Sequence, residues 1–476
     1  MSTPPHRPLA YARAHRRRFV EELKDLVRIP SVSAEPEHAP AVTRCARWLA
    51  DHLRRLGPDE VRLFRTARHP AVYAAWRKAA GRPTVLVYGH YDVQPADHPE
   101  RWTTPPFEPA VRGENLYGRG ASDDKGQLFA HVKAIEAYVR GESGLPVNVV
   151  CLFEGEEEIG SLHLKALLER ERHRLAADVA VISDMRILGP KRPALTYALR
   201  GALNLELTVR GPTHALHSGT FGGAVHNPAQ ALCEIVAALH RPDGRIALPG
   251  FYRRVRRWSA AERAFMRRMG YADAHILNDA GSRRGWGEPG FSLYERTTIR
   301  PALSITGLTS GYQGAGPKSI IPKQARAKLN FRLVPDQHPR EVEQLVRRYV
   351  ARRAPPTVRV DVRTQFAANA VYMDRRHPGM RAAALAYRKG FGAAPAFLRS
   401  GGTIPVADLF VRLMKVPTVL MGFALPDDRM HAANEKFFLP NFYNGIATCL
   451  WFFHHAAALP ASARRAAHGR AQSTTA

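Results

Sequence analysis

Five short segments of this chain carry side chains able to bind metal ions, and four of them sit just past an apolar, strand-like run. They are Gly89-His90-Tyr91-Asp92, Gly120-Ala121-Ser122-Asp123-Asp124-Lys125-Gly126, Glu154-Gly155-Glu156-Glu157-Glu158, Ser183-Asp184 and Met430-His431. The placement constrains the fold, because open α/β sheets gather ligands beyond the carboxyl ends of their strands. β-like runs at Val72–Trp76, Thr84–Tyr88, Val147–Phe153 and Val179–Ser183 alternate with helical patterns at Gln127–Val139 and Leu162–Arg170. That alternation predicts an α/β layer with a mixed, largely parallel sheet flanked by helices. Upstream, helical spacing over Leu9–Arg28 stops at Ile29-Pro30, and a second helix is expected over Ala41–Leu56.

From Arg200 the texture changes. Strands are expected at Leu205–Val209, Ala302–Ile305, Ala325–Leu333 and Val358–Arg363, with helices at Pro228–Leu239 and Glu341–Arg352. Strand–helix–strand–strand–helix–strand is the ferredoxin-like order of a compact domain. The stretch Arg241–Thr298, rich in Arg, Gly and aromatics, reads as an insertion within it. After about Asn369 the α/β texture returns, with a strand at Val416–Met421 and a buried helix around Cys449-Leu450-Trp451-Phe452-Phe453. The expected organisation is a discontinuous domain of residues 1–199 and 369–476, interrupted by a smaller one over 200–368. Only the last dozen or so residues read as a flexible tail.

A chain of 476 residues is too long for one compact core. With 45% hydrophobic and 24% charged residues it has the make-up of a soluble globular protein. No apolar run reaches spanning length, and the arginines Arg16, Arg17 and Arg18 are followed by no apolar segment, so neither a membrane partner nor a secretory signal is expected. Cys45, Cys151, Cys233 and Cys449 are sparse and unclustered, which fits a reducing, cytoplasmic setting and excludes a cysteine zinc cluster. The net charge of +28 is spread along the chain, in clusters such as Arg253-Arg254-Val255-Arg256-Arg257 and Arg381 with Arg388 that read as helix faces. No zinc finger, RNA-binding aromatic signature or phosphate loop accompanies it, so no specific nucleic-acid partner is expected.

Each metal-capable segment has an ordinary reading when taken alone. His90 is a core histidine, Asp-Asp-Lys-Gly a surface turn, the glutamate run a helix start, Asp184 a helix N-cap, and His431 unremarkable. Together they offer two imidazoles and several carboxylates, a set that suits two zinc ions sharing one carboxylate. Asp92, two residues from His90, can fix its tautomer. Adjacent glutamates at a strand end let one bind metal while its neighbour faces substrate as general base. A paired-metal site with a spare glutamate is the apparatus of a hydrolase.

The set, in this order, resembles the dizinc metallopeptidases that include carnosine dipeptidase, carboxypeptidase G, aminoacylase and succinyl-diaminopimelate desuccinylase. The resemblance runs over nearly the whole chain and is most specific at Tyr117-Gly118-Arg119-Gly120 through Lys125-Gly126 and at Glu157-Glu158. It implies that His90 and Asp184 bind one metal, Glu158 and His431 the other, and that Asp123 bridges them. It implies Glu157 as base and Asp92 as the partner of His90. His217 in Leu216-His217-Ser218-Gly219, by itself no more marked than His214 or His226, resembles the family histidine that enters the partner subunit's site and polarises the scissile carbonyl. The inserted domain would thus serve as lid and dimerisation element of a homodimer.

Ser319 in Lys318-Ser319-Ile320-Ile321-Pro322 and Arg332 in Asn330-Phe331-Arg332 resemble the segments that hold the substrate carboxylate, a task that suits an arginine fork. Gly401, Gly402 and Thr403 resemble a substrate-binding glycine turn, in which the carnosine dipeptidases carry Glu where this chain has Ser400. Aspartate at 184 and the long insertion before Pro301 favour the dipeptidase branch. The expectation is a dipeptidase of short peptides with two Zn2+ per subunit, Mn2+ or Co2+ being substitutes. The alternative is an N-acyl-amino-acid deacylase or carboxypeptidase of the same family.

Overall fold

The computed structural model describes residues 3–141 and 144–460, so the expected tail lies outside the described residues. The chain forms two compact units. The first runs through Tyr197 and takes in Met373–Phe397 and the part from Pro405 on; the second comprises Ala198–Tyr372 and Leu398–Ile404.

The first unit is built on a mixed sheet, seven of whose strands lie in the order Glu60–Phe64, Ala71–Trp76, Asn148–Glu154, Thr84–His90, Val179–Ser183, Thr418–Met421 and Ala194–Leu199. The middle four, from Asn148–Glu154 to Thr418–Met421, run parallel, and the flanking pairs are antiparallel. All four are buried along their whole length, which is why they read as unbroken apolar runs rather than alternating ones. Helices Lys125–Arg140 and Pro378–Gly390 pack on Thr84–His90 and Thr418–Met421 respectively, and Leu439–Ala456 packs on both helices. Among the described residues no helix is long and apolar enough to cross a membrane.

Two expectations are corrected here. The Leu9–Arg28 stretch is two helices, His6–Ala14 and Arg16–Val27. The break falls at His15, whose ring stacks on Tyr11 at 4.0 Å and whose Nδ1 joins its own amide in donating to the Tyr11 carbonyl, at 2.8 Å. The Arg253–Arg257 cluster is a turn followed by chain without regular secondary structure, instead of a helix face. Gly250 opens that turn with φ of +81°, and the arginines pair outward, Arg254 with Glu341 at 2.7 Å and Arg256 with Asp336 at 2.8 Å. Arg381 and Arg388 do lie on a helix, Pro378–Gly390.

The second unit has an antiparallel sheet in the order Ala302–Ser310, Gln324–Leu333, Gly201–Arg210 and Arg359–Ala368. With helices Pro228–Ala237 and Pro339–Arg353 this is the βαββαβ order of a ferredoxin-like fold. Leu203, Leu205, Leu207 and Val209 bury one face of the sheet with Ala327, Leu329 and Phe331, together with Leu232, Ile235 and Val346 of the helices. Within Arg241–Thr298 the chain forms helices Ala260–Met269, Asp273–Asp279 and Leu293–Thr298. Leu398–Ile404 joins this unit, whereas the sequence reading placed it with residues 369–476. The cause is bonding: Arg399, Gly401 and Thr403 meet Tyr294 and Arg200.

Candidate active site

The parallel register brings the strand ends to one edge. His90 lies opposite Glu154, Tyr88 opposite Ile182, and Met421 opposite Ser183. His90 and the residues just past the other strand ends therefore emerge at neighbouring positions, as the rule for parallel sheets requires.

His90, Asp123 and Asp184 form one group of donor atoms and Asp123, Glu158 and His431 a second, with all donor atoms of each group within 4.8 Å of one another. The Oδ1 atom of Asp123 lies 3.1 Å from His90 Nε2, and its Oδ2 lies 2.9 Å from His431 Nε2. Asp184 Oδ2 is 3.9 Å from His90 Nε2, and Glu158 Oε2 is 3.3 Å from His431 Nε2. One carboxylate thus faces both groups, one oxygen to each.

The chemistry of the donor set fits a pair of divalent cations. His90 Nδ1 donates to the Asp92 carbonyl oxygen at 3.1 Å, which leaves Nε2 directed at the carboxylates. Burial by itself would lower the His90 pKa, but hydrogen bonds to Asp123 and Asp92 and the field of Glu157 raise it well above its ordinary value. Hydrogen bonds to Asp123 and Glu158 push His431 up to about 10. Burial, then the neighbouring Asp123 and Asp124, holds Asp184 well above the carboxylate range. Cations bound there would displace the protons that His90, His431 and Asp184 hold. Two other acid–histidine groups occur among the described residues. In one, Lys133 Nζ sits 2.7 Å from Glu136 and 2.9 Å from His52, so an ammonium already fills it. The other, Glu35 with Glu37 and His38, shares no strand end.

The four glutamates after Phe153 have different surroundings. Glu154 accepts from Tyr88 and from Ser161 Oγ at 2.8 Å, and burial pushes it up to about 8. Glu156 accepts from Thr66 Oγ1, the His69 amide and His163. Glu158 accepts from Gln94 Nε2 at 2.7 Å and faces His431. The Glu157 carboxylate alone of the four has no hydrogen-bond partner among the described residues. Burial, then the Glu158, Asp123 and Asp92 carboxylates, raise it to about 7 against the pull of His90. Asp92 does more than face His90, whose Nδ1 is 3.5 Å from its Oδ1: the two carboxylate oxygens accept the Glu157 and Glu158 amides at 3.2 and 3.1 Å.

The Asp123 loop is held by a residue that the sequence did not mark. Glu435, fully buried, accepts from Arg119 Nη1 at 2.8 Å and from the amides of Gly120, Ser122 and Asp123 at 2.9, 2.9 and 3.0 Å. It sits four residues past His431, so one short loop both presents a donor and fixes the Asp123 backbone. That loop runs through the left-handed region at three non-glycine residues, Arg429, His431 and Asn434. Such backbone persists only where its surroundings over-determine it. Here Asn434 bonds Arg101 O and Thr103 N, and Asp428 accepts from Ser122 Oγ and Leu425 N. Gly120, at φ +81°, has no room for a side chain: a Cβ would lie 2.4 Å from Val93 Cγ1.

The remaining expected site residues lie in the second unit. His217 is exposed and pairs with Ile320, beside Ser319, whose carbonyl accepts the Ser218 amide at 3.0 Å. Its Nδ1 accepts the Gly219 amide at 3.1 Å. Arg332 Nη1 donates to Thr403 Oγ1 at 3.0 Å, and that hydroxyl donates to Arg200 O at 2.7 Å. Arg200 Nε donates to Gly401 O at 3.2 Å, and the Gly402 amide donates to Ser400 Oγ at 3.1 Å. Burial, then Arg332, pushes Arg200 down to about 9, and burial lowers Arg332. Among the described residues neither guanidinium pairs with a carboxylate.

A parallel sheet with paired, carboxylate-bridged donor groups at its strand ends, in a chain that also carries an inserted ferredoxin-like unit, defines a metal-dependent peptidase. The chain belongs to peptidase family M20/M25/M40, whose profile matches residues 86–453. It is 33% identical over 461 residues to the Cys-Gly metallodipeptidase of Schizosaccharomyces pombe, covering 93% of this chain and 96% of that protein. Its fold is similar to the crystal structure of human carnosine dipeptidase 1, with a TM-score of 0.81 at 30% identity, covering 96% and 99% of the two chains. It is also similar to an M20 family metallo-carboxypeptidase from Sulfolobus solfataricus, with a TM-score of 0.85 at 30% identity and coverage of 93% and 99%.

Proposed function

We propose that this metallopeptidase is a dipeptidase that hydrolyses the amide bond of dipeptides or short peptides with two Zn2+ per subunit. The observation that carries the reading is Asp123, with one oxygen toward His90 and the other toward His431. His90, Asp123 and Asp184 would hold one ion, and Asp123, Glu158 and His431 the other; nitrogen and oxygen donors suit zinc and admit Mn2+ or Co2+. Bound there, the ions supply Lewis acidity and a water acidified to a pKa of about 7. Glu157, its carboxylate uncommitted, takes the water proton and returns it to the departing amine. Asp92 holds the Glu157 and Glu158 amides and thereby the spacing between base and donor group. Arg332 and Ser319 take the substrate carboxylate, and the Gly401-Gly402-Thr403 turn, joined to Arg332 through Thr403, binds substrate with them; that Arg200 and Arg332 lack a carboxylate partner among the described residues supports the reading.

His217 polarises the scissile carbonyl in the partner subunit of a homodimer. Mixing His217→Ala with Glu157→Gln subunits tests this, because only the hybrid dimer unites an intact base with an intact histidine. Two inactive preparations are expected to regain about a quarter of wild-type activity after subunit exchange. No recovery despite hybrid formation would place His217 in its own subunit's chemistry or outside it. Both variants are expected to keep wild-type metal content.

A deacylase or carboxypeptidase reading has one observation in its favour, the similarity to the metallo-carboxypeptidase. Turnover of a dipeptide library against N-acetyl amino acids, before and after chelation, separates the two. The dipeptidase reading requires free-amine dipeptides to be the faster substrates and all turnover to vanish with the metal. The four unpaired cysteines, three of them buried, support a reducing cytoplasmic setting.

A further inference from the structure

The Arg241–Thr298 insertion has no part in the chemistry above, yet it grips the segment that carries the substrate turn. Arg399 immediately precedes Ser400, and its side chain is fully buried. Its guanidinium lies 3.8 Å from the centre of the Trp258 ring and 5.4 Å from that of Tyr372, and its Nη2 donates to Glu262 at 3.0 Å. Its backbone is held as well: the amide donates to Tyr294 Oη at 2.7 Å, and that hydroxyl donates to the Arg399 carbonyl at 3.0 Å. Beyond Ser400, Gly401 lies so close to the helix Leu293–Thr298 that a Cβ would be 2.6 Å from Thr297 O. Trp258, Glu262, Tyr294 and Thr297 all belong to the insertion.

The insertion is itself braced. Glu295 closes a capping box with Ser292 and accepts from Arg263 at 2.7 Å, which locks Leu293–Thr298 to Ala260–Met269. Met266, Tyr294 and Ile299 form a small apolar core beneath that contact. A planar guanidinium stacked on an indole while bonded to a carboxylate fixes both the position and the rotation of the residue that carries it. Substrate turns on loops are precise only when such supports lock them.

We propose that the insertion is the support of the 400–403 turn, that Arg399 is its positioning residue, and that the pair sets how tightly the substrate's carboxylate end is held. The proposal rests on the reading of that turn as substrate-binding. Arg399 touches no group assigned to proton transfer or metal binding, so loosening it is expected to act on KM rather than kcat.

Metal-loaded Arg399→Ala, Arg399→Lys and Tyr294→Phe are to be compared with wild type by dipeptide kinetics and by hydrogen exchange of residues 398–404, well below their melting temperatures. Arg399→Ala is expected to raise KM by about 10- to 100-fold, with kcat within about threefold of wild type and lost amide protection at the turn. Arg399→Lys keeps the charge for Glu262 without the planar stack, so partial recovery of KM is expected; Tyr294→Phe should fall between. If the turn stays protected, or KM stays at the wild-type value while only the melting temperature falls, the proposal is overturned. If the wild-type enzyme prefers N-acyl amino acids, the dipeptidase reading fails separately, and the same KM change on that substrate still supports the positioning role.

Discussion

Glu157→Gln is expected to lower kcat by about 10²–10⁴-fold while leaving metal content and melting temperature at wild-type values. The glutamates after Phe153 differ in what they are bonded to. Glu154 and Glu156 are engaged by hydroxyl, amide and imidazole donors, and Glu158 is shared between Gln94 and His431. Glu157 is placed by its own amide on Asp92, which the substitution keeps, and its side chain holds nothing in place. Glutamine preserves the volume but cannot accept and release a proton at neutral pH. Metal analysis, thermal melting and steady-state kinetics on the same preparation decide the matter. Activity within a few-fold of wild type would move the proton transfer to another group, and loss of metal would make Glu157 a ligand. Loss of turnover with metal intact separates a base from a ligand, since removing a donor of either group changes both.

Much of this site was legible because buried parallel strands leave a plain sequence mark. Thr84–His90, Asn148–Glu154 and Val179–Ser183 are apolar on both faces, so the polar residues at or just past their ends stand out, and the donors His90, Glu158 and Asp184 are among them. What was illegible depends on contacts between distant segments. Glu435 reads as one more charged loop residue, yet its partners lie about 310 positions earlier, from Arg119 to Asp123. The strand Ala194–Leu199 was missed because a short run of Ala, Leu, Thr and Tyr without a period has no signature of its own. The edge strand Glu60–Phe64 does carry the charged–apolar alternation of a half-buried strand, but over only 5 residues. Helical spacing continues through His15, and the periodicity carries no mark of the break that falls there. The attachment of Leu398–Ile404 to the second unit could not be read either, since it is made by Tyr294 and Arg200, far away in the chain.

Glu435→Ala is expected to damage the metal site without touching a ligand. The substitution strands the Arg119 guanidinium, itself 2% exposed, and leaves the amides of Gly120, Ser122 and Asp123 without their acceptor. Removing one partner of a buried charge pair costs about 3–5 kcal/mol, and unsatisfied amides add to it. The first effect is therefore a lower melting temperature. A second follows from position: the Asp123 amide is one of the four donors, so the backbone that aims both oxygens of the shared carboxylate loses its anchor. The loop bearing His431, held in left-handed backbone partly by this clamp, is released as well. Supporting residues of this kind cost about 10- to 100-fold in metal affinity when lost, and that is the expected range for Glu435→Ala. Glu435→Gln is no rescue, because its amide nitrogen would face donors that need an acceptor. Titration of the metal-free protein with zinc against a competing chelator, beside a thermal melt, reads the two effects apart. Wild-type affinity with only a lower melting temperature would make Glu435 a residue of the fold alone. Weaker binding, measured where the variant is still folded, ties the His431 loop and the Asp123 loop into one device that holds the bridging carboxylate in place.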